Sequence, residues 1–251
     1  MKRKNYFIIL IVLTCLLFIN NVYGADASSL IGIEVSGDEG TATNLTVQLL
    51  LLVTLITLAP SILLMLTSFT RIVIILHFTR SALSTQQTPP NQVLIGLALF
   101  LTFFIMGPTL TEVNKQAMQP YIAGEINTSE MVATAMDPIR EFMFKQVETN
   151  DVKLFAEFDG QSYDTYEDIP NRVLIPAFIL GEITKGFKVG FIIFIPFLVI
   201  DMIVASTLMA MGMMMLPPSM ISLPFKILFF VMVDGWALTI NGIFETFRLG
   251  G

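Results

Sequence analysis

The chain has 251 residues, 54% of them hydrophobic, with a mean hydropathy of +0.75. Only 14% are charged, and the net charge is −6. Soluble domains are less apolar than this. The composition therefore points to a membrane or membrane-associated protein, and no basic patch points to nucleic acid.

The N-terminus has the pattern of a secretory signal. Lys2, Arg3 and Lys4 precede a short apolar stretch over 7–19, and Val22-Tyr23-Gly24 ends on a small residue. Cleavage after Gly24 is expected, with residues 1–24 as the signal peptide; the alternative is an uncleaved anchor. Cys15, the single cysteine, lies inside this stretch, so the mature chain would have no thiol chemistry. Removal of the three basic residues would take the net charge from −6 to −9. Residues 25–44 are rich in Gly, Ser, Asp, Glu and Thr and read as a mobile exported linker.

The first long apolar run, 45–66, carries no charge and is long enough to span a bilayer; Pro60 is expected to kink it. In 69–80, Ile72, Ile75, Leu76 and Thr79 recur at helical spacing, bracketed by Arg71 and Arg80. Residues 84–92 are polar and contain Pro89-Pro90, a loop signal. The second run, 93–106, is closed by Gly107-Pro108. At 1.5 Å per residue it is roughly 21 Å long, short of a bilayer core of roughly 30 Å, which speaks against a simple four-span picture.

Residues 108–171 are of a different character. From Gly107 to Pro170 there are twelve acidic and four basic residues. Amphipathic patterning predicts one helix capped by Ser129, running through Met131, Val132 and Met136. A second is expected to start at Pro138 with Asp137 as its cap, carrying Phe142, Phe144 and Val147. So small a region is expected to pack on copies of itself or on the membrane helices.

In 172–251, an apolar lead-in through Pro176 is interrupted by Glu182, Lys185 and Lys188. Gly186 and Gly190 form a G-x-x-x-G, a pattern so short that chance is the stronger explanation. The third apolar run, 189–208, has Pro196 and Asp201. The fourth, 223–244, has Lys226, Asp234 and Trp236. Between them five of the seven residues from Met209 to Met215 are methionine: Met209, Met211, Met213, Met214 and Met215. Gly212 and Pro217-Pro218 predict a bend between two helices. Methionine is unbranched and re-packs readily, so the cluster could either fill an irregular core or form a deformable plug. The architecture expected is all-α: kinked, membrane-type helical hairpins with a small helical exported region.

If Ala25 lies outside, the first helix leads in and the loop 67–92, with Arg71 and Arg80, lies on the cytoplasmic side, as the positive-inside rule asks. On this reading both arginines are topology signals and loop anchors. Asp201 and Asp234 are the candidate buried charges. A hairpin bent about Leu216-Pro217 would set Asp201 level with position 232, a turn from Asp234, with Lys226 available to pair with one of them. Hydrogen bonding that fixes helix register is the simpler role; a polar lining or titratable gate is the other. His77, the single histidine, has no second ligand type for a metal site. No Walker loop, H-E-x-x-H or serine triad is visible, so neither enzyme, cofactor nor metal is expected.

The strings RIVIILHFTRSAL (71–83) and QQTPPNQV (86–93) resemble the FliP/SctR family of type III secretion export gates. RVLIPAF (172–178), FIPFLVID (194–201), LMAMGMMMLPP (208–218), SLPFK (222–226) and VDGW (233–236) resemble it too, so the likeness covers 45–247. The resemblance implies a pentamer-like ring that, with FliQ and FliR, forms a helical gate for unfolded export substrates. FlhA and FlhB are implied as neighbours and FliO as an assembly factor. It also implies a gasket of consecutive methionines, matching Met213, Met214 and Met215. Ser84 stands where a glycine is expected, and 181–186 is more charged and glycine-rich than usual. The signal and the acidic region resemble the flagellar branch, in the bacterial inner membrane at the basal body. The alternatives are a virulence-branch homologue and a stand-alone transporter with Asp201 and Asp234 as proton carriers.

Overall fold

The computed structural model describes residues 50–248, apart from 51, 52, 55, 59, 63, 86, 162, 164, 166, 167, 214 and 215. The signal and linker expectations for 1–24 and 25–44 lie outside the described residues. The chain divides into two compact units, 1–57 and 58–251. The second holds the helices from Phe69 onward and contains no strand among its described residues.

Helix α1 (Phe69–Ala82) is followed by α2 (Asn91–Ile105). Helix α2 ends at Ile105, just before Gly107-Pro108. The chain bends and resumes at once as α3 (Gly107–Val113), because proline in the first turn lacks only an N–H that would have no helical acceptor. A π-helical turn (Asn114–Met118) leads into α4 (Gln119–Ala123), and the bend between α2 and this segment is 62°.

Next comes α5 (Thr128–Gln146), and it corrects two expectations. Its cap is Asn127, not Ser129. The Asn127 side chain accepts from the Glu130 N–H, and Glu130 accepts from the Asn127 N–H at 3.1 Å, a full capping box. No new helix starts at Pro138, which is buried inside α5. The helix gives up one internal hydrogen bond there, and tertiary contacts hold the following turns. Met143 is buried, Phe142 meets Phe178 edge-on at 6.0 Å, and Arg140 donates to the Ile169 carbonyl at 2.8 Å.

After α6 (Thr149–Asp159) the chain ends the helix on Gly160 at φ 69. Asp159 accepts two hydrogen bonds from Arg172, and with Tyr163 this holds its carboxyl at a pKa of about 2. The lead-in and the third run are then a single helix, α7 (Asn171–Ala210), passing through Pro176 and Pro196. It is long and apolar enough to cross a membrane. The fourth run, by contrast, is two helices, α8 (Pro218–Met232) and α9 (Gly235–Arg248), bent by 66° at Val233-Asp234.

Three apolar clusters form the interior. One joins α5 and α6 to the first turns of α7 through Met143, Val152, Leu174 and Phe178, so the acidic region packs on a membrane-type helix. A second joins α1, α2 and α9 through Ile72, Leu76, Leu94 and Ile243. A third joins the end of α1 to α7 and α8 through Leu83, Phe197 and Phe230.

The seam between α1 and α7 depends on glycine, so the G-x-x-x-G is not a chance pattern. A Cβ on Gly186 would lie 3.0 Å from Ile74, and one on Gly190 would lie 2.5 Å from the Phe78 ring. The contacts run in the same order on both helices, Ile74 with Gly186 and Phe78 with Gly190, so α1 and α7 are parallel. Four-residue spacing on each side is ridge-in-groove packing at close approach. We expect Gly190→Ala to lower unfolding stability in detergent by about 1–3 kcal/mol through overpacking. Gly186→Ala should cost less. Gly242→Ala, where a Cβ meets nothing within 4 Å, should be neutral or stabilising by up to about 1 kcal/mol.

Candidate functional site

The methionine bend closes α7 with a defined motif. The Met213 N–H reaches the Leu208 carbonyl at 3.0 Å and the Gly212 N–H reaches Met209 at 3.0 Å. Gly212 takes φ 74, the left-handed residue such a cap needs. Pro217 then caps α8 and Pro218 opens it, where the lost N–H has no cost. Met209 and Met211 are 59% and 58% exposed and Met213 is 36% exposed, so these three do not fill a core of this chain. Met214 and Met215 lie outside the described residues. An apolar groove of about 480 Å³, lined by Ile203, Thr207, Leu208, Met211, Ile221 and Phe225, runs up to the bend.

Below the bend α7 and α8 are joined by charge. Lys226 is 1% exposed, and its ammonium donates to Asp201 Oδ2 at 2.5 Å and to Ser84 Oγ at 2.7 Å. The other Asp201 oxygen accepts from Ser222 Oγ at 2.6 Å. A buried ammonium without such partners would carry a large desolvation cost. Asp201 thus faces Lys226 rather than position 232. The expected register was off by more than a turn because the bend, between Ala210 and Pro218, is centred near residue 214 and not on Leu216-Pro217. Asp234 takes no part in this pair. It lies beyond the end of α8, exposed, at φ 51.

Ser84 was missed as a contributor. It ends α1 in the left-handed region at φ 57, a conformation that favours glycine. The serine bears that strain and supplies a hydroxyl to the buried lysine, which explains how this position accommodates a residue other than the glycine expected there. Arg80 is tied to the loop that follows. It donates to the Pro89 carbonyl at 3.2 Å and to Asn91 Oδ1 at 2.6 Å, beside Pro90. Its other nitrogen lies 3.0 Å from His77 Nδ1. Guanidinium has no acceptor, so that ring nitrogen accepts and the ring proton sits on Nε2.

Arg71 corrects an expectation. It is not in a loop or at the surface, but fully buried inside α1. Its guanidinium donates to both Glu182 oxygens, to Gln146 Oε1 at 2.9 Å and to the Thr246 carbonyl at 2.9 Å, and it lies 3.9 Å over the Phe247 ring. Glu182 is also fully buried. The charges that seemed to interrupt 181–188 are therefore contacts along α7. Lys185 donates to the Gln146 carbonyl, and Lys188 lies 3.7 Å from Glu148. A lone acid and a lone arginine in two apolar helical patterns was the available signal.

Ser84→Ala should lower unfolding stability by about 1–3 kcal/mol, since it keeps the strain and removes a hydrogen bond to a charge. Ser84→Gly should lose less, because the backbone strain is relieved as the bond is lost. Denaturant titration of the detergent-solubilised chain orders the two; a glycine variant less stable than the alanine one would contradict the assignment.

Comparison with known proteins agrees with these strings. A sequence model described as "FliP family" matches residues 52–243. The flagellar biosynthetic protein FliP of Bacillus subtilis (strain 168) is 54% identical over 203 residues, covering 80% of this chain and 92% of that protein. The protein of the same name from Pectobacterium carotovorum subsp. carotovorum is 47% identical over 209 residues, 83% of this chain and 81% of its own. That of Caulobacter vibrioides is 45% identical over 227 residues, 90% of this chain and 85% of its own. This chain belongs to the FliP family.

Proposed function

We propose that the chain is a core subunit of the flagellar protein export gate. Family membership makes it a membrane-associated component of flagellar biosynthesis; the finer reading is ours. Several copies form a ring-like channel for unfolded substrates, and the methionine bend is its seal. The observation that carries this reading is the exposure of Met209 and Met211 at the tip of a hairpin whose base is fixed by Lys226 and Asp201. Thioether side chains deform around a threaded chain without asking it for hydrogen bonds. When empty, a ring of them is a hydrophobic constriction that resists ion flow.

In this reading FliQ and FliR complete the gate, FlhA and FlhB adjoin it and FliO assists assembly. The subunit sits in the inner membrane with the acidic region, 108–171, on the periplasmic side. The chain acts as a channel component rather than an enzyme, and the energy for export comes from elsewhere. The rival stand-alone transporter needs Asp201 as a proton carrier, yet that carboxylate is engaged by Lys226 and Ser222.

Changing Met213, Met214 and Met215 together to alanine should leave the assembled complex intact while raising ion conductance across the membrane. Conductance and export both unchanged, with normal assembly, would reduce the bend to ordinary packing.

A further inference from the structure

A recess lies where α2 gives way to α3, walled by that corner, the end of α5 and the end of α9. Its volume is about 690 Å³, within the range of small-ligand pockets, roughly 300–1,000 Å³. It straddles a change of polarity. Helix α2 carries no charged residue, and Phe100, Phe103 and Phe104 on it are exposed. Beyond the corner the chain turns polar, with Glu112 and Lys115.

The lining divides in the same way. Its apolar part is aromatic: Phe104 meets Phe244 at 5.3 Å, and Phe142 stacks on Phe247 at 6.5 Å. Its charges are two cations, Lys145 and Arg248, against one carboxylate, Glu245, in a chain whose net charge is −6. The Lys145 ammonium gives one hydrogen bond, to Glu141 at 2.6 Å, and the Arg248 guanidinium gives one, to Glu245 at 3.3 Å. Both are exposed pairs between neighbours on one helix and are worth little, so most of these N–H groups are open to another acceptor. Gln146, 4% exposed, borders the recess, and its amide nitrogen gives one of its two hydrogens to the Phe247 carbonyl. A surplus of donors beside aromatic walls calls for a ligand with several acceptor oxygens, a negative charge and a hydrocarbon part.

We propose that this recess binds a phospholipid, its phosphate oxygens held by Lys145 and Arg248 and the start of an acyl chain lying against Phe104 and Phe244. A soluble anion would leave the phenylalanines wet, and an apolar helix would leave the donors unmet; a phospholipid satisfies both. The proposal rests on the membrane association of the chain and is independent of the methionine seal.

The test is native mass spectrometry of the full chain in a neutral detergent, titrated with phosphatidylglycerol, with diacylglycerol of the same acyl chains and with inorganic phosphate. Phosphatidylglycerol should bind about tenfold more tightly than diacylglycerol, and inorganic phosphate should not displace it. Lys145→Gln combined with Arg248→Gln, both at exposed positions, should lower phosphatidylglycerol affinity about tenfold and leave diacylglycerol binding and helix content unchanged. Lys115→Gln combined with Lys153→Gln removes the same charge at exposed positions that do not line the recess and should leave phosphatidylglycerol affinity as it was. Equal binding of the two lipids, or equal loss in the two double variants, would overturn the proposal. Displacement by inorganic phosphate would overturn it in favour of a soluble anion. Copies of the chain that associate and exclude lipid would overturn it in favour of self-association. The conductance of methionine variants has no bearing on any of these outcomes.

Discussion

The fold is organised around one buried ion pair. Arg71 and Glu182 are fully removed from solvent, and the desolvation of two charges is offset only if nearly every polar hydrogen finds an acceptor. Here it does. Arg71 spends its donors on Glu182, Gln146 and the Thr246 carbonyl, and its flat face rests on Phe247. Gln146 in turn donates to the Phe247 carbonyl at 3.3 Å, and its own carbonyl takes the Lys185 ammonium. The ends of α5 and α9 are thereby fixed to the first turn of α1 and the first half of α7. Removing either charge would strand the other.

From that hub, rigidity passes along two parallel helices towards the methionine bend. Going up α1, the contacts are Arg71, Ile74, Phe78 and then Ser84; going up α7 they are Glu182, Gly186, Gly190 and then Asp201. Glycine lets the backbones close in the middle, and Lys226 ties the top to α8. The distance from Glu182 to Asp201 is roughly 28 Å along the helix axis. A polar link at each end and a tight seam between them give the hairpin few ways to shift. A soft tip on a stiff base is what a deformable seal requires.

Much of this was legible in the sequence, and the misses share a cause. Periodicity placed α1 on Ile72, Ile75, Leu76 and Thr79, and Gly212 with two prolines placed the bend. What local reading overlooked was tertiary satisfaction. Glu182, Lys185 and Lys188 resembled a break in an apolar run because their partners, Arg71, Gln146 and Glu148, come from other elements. Pro138 resembled a helix start because the packing of Phe142 and Met143 that carries α5 through it is not local. The fourth apolar run resembled one helix because the close approach of Gly235 to Phe230 appears only in three dimensions. Asn127 and Glu130, in contrast, form a capping box whose spacing was readable and was passed over for Ser129.

The most direct measurement is a double-substitution cycle on the hub, read as unfolding free energy of the detergent-solubilised chain. Arg71→Met and Glu182→Leu should each cost about 3–5 kcal/mol, since each strands a buried charge. The double variant should recover most of that loss, being an apolar pair of similar volume. If the single variants match the unaltered chain, or if the double variant loses the sum of the two, Arg71 and Glu182 are not the constraint on which the rest of the structure depends.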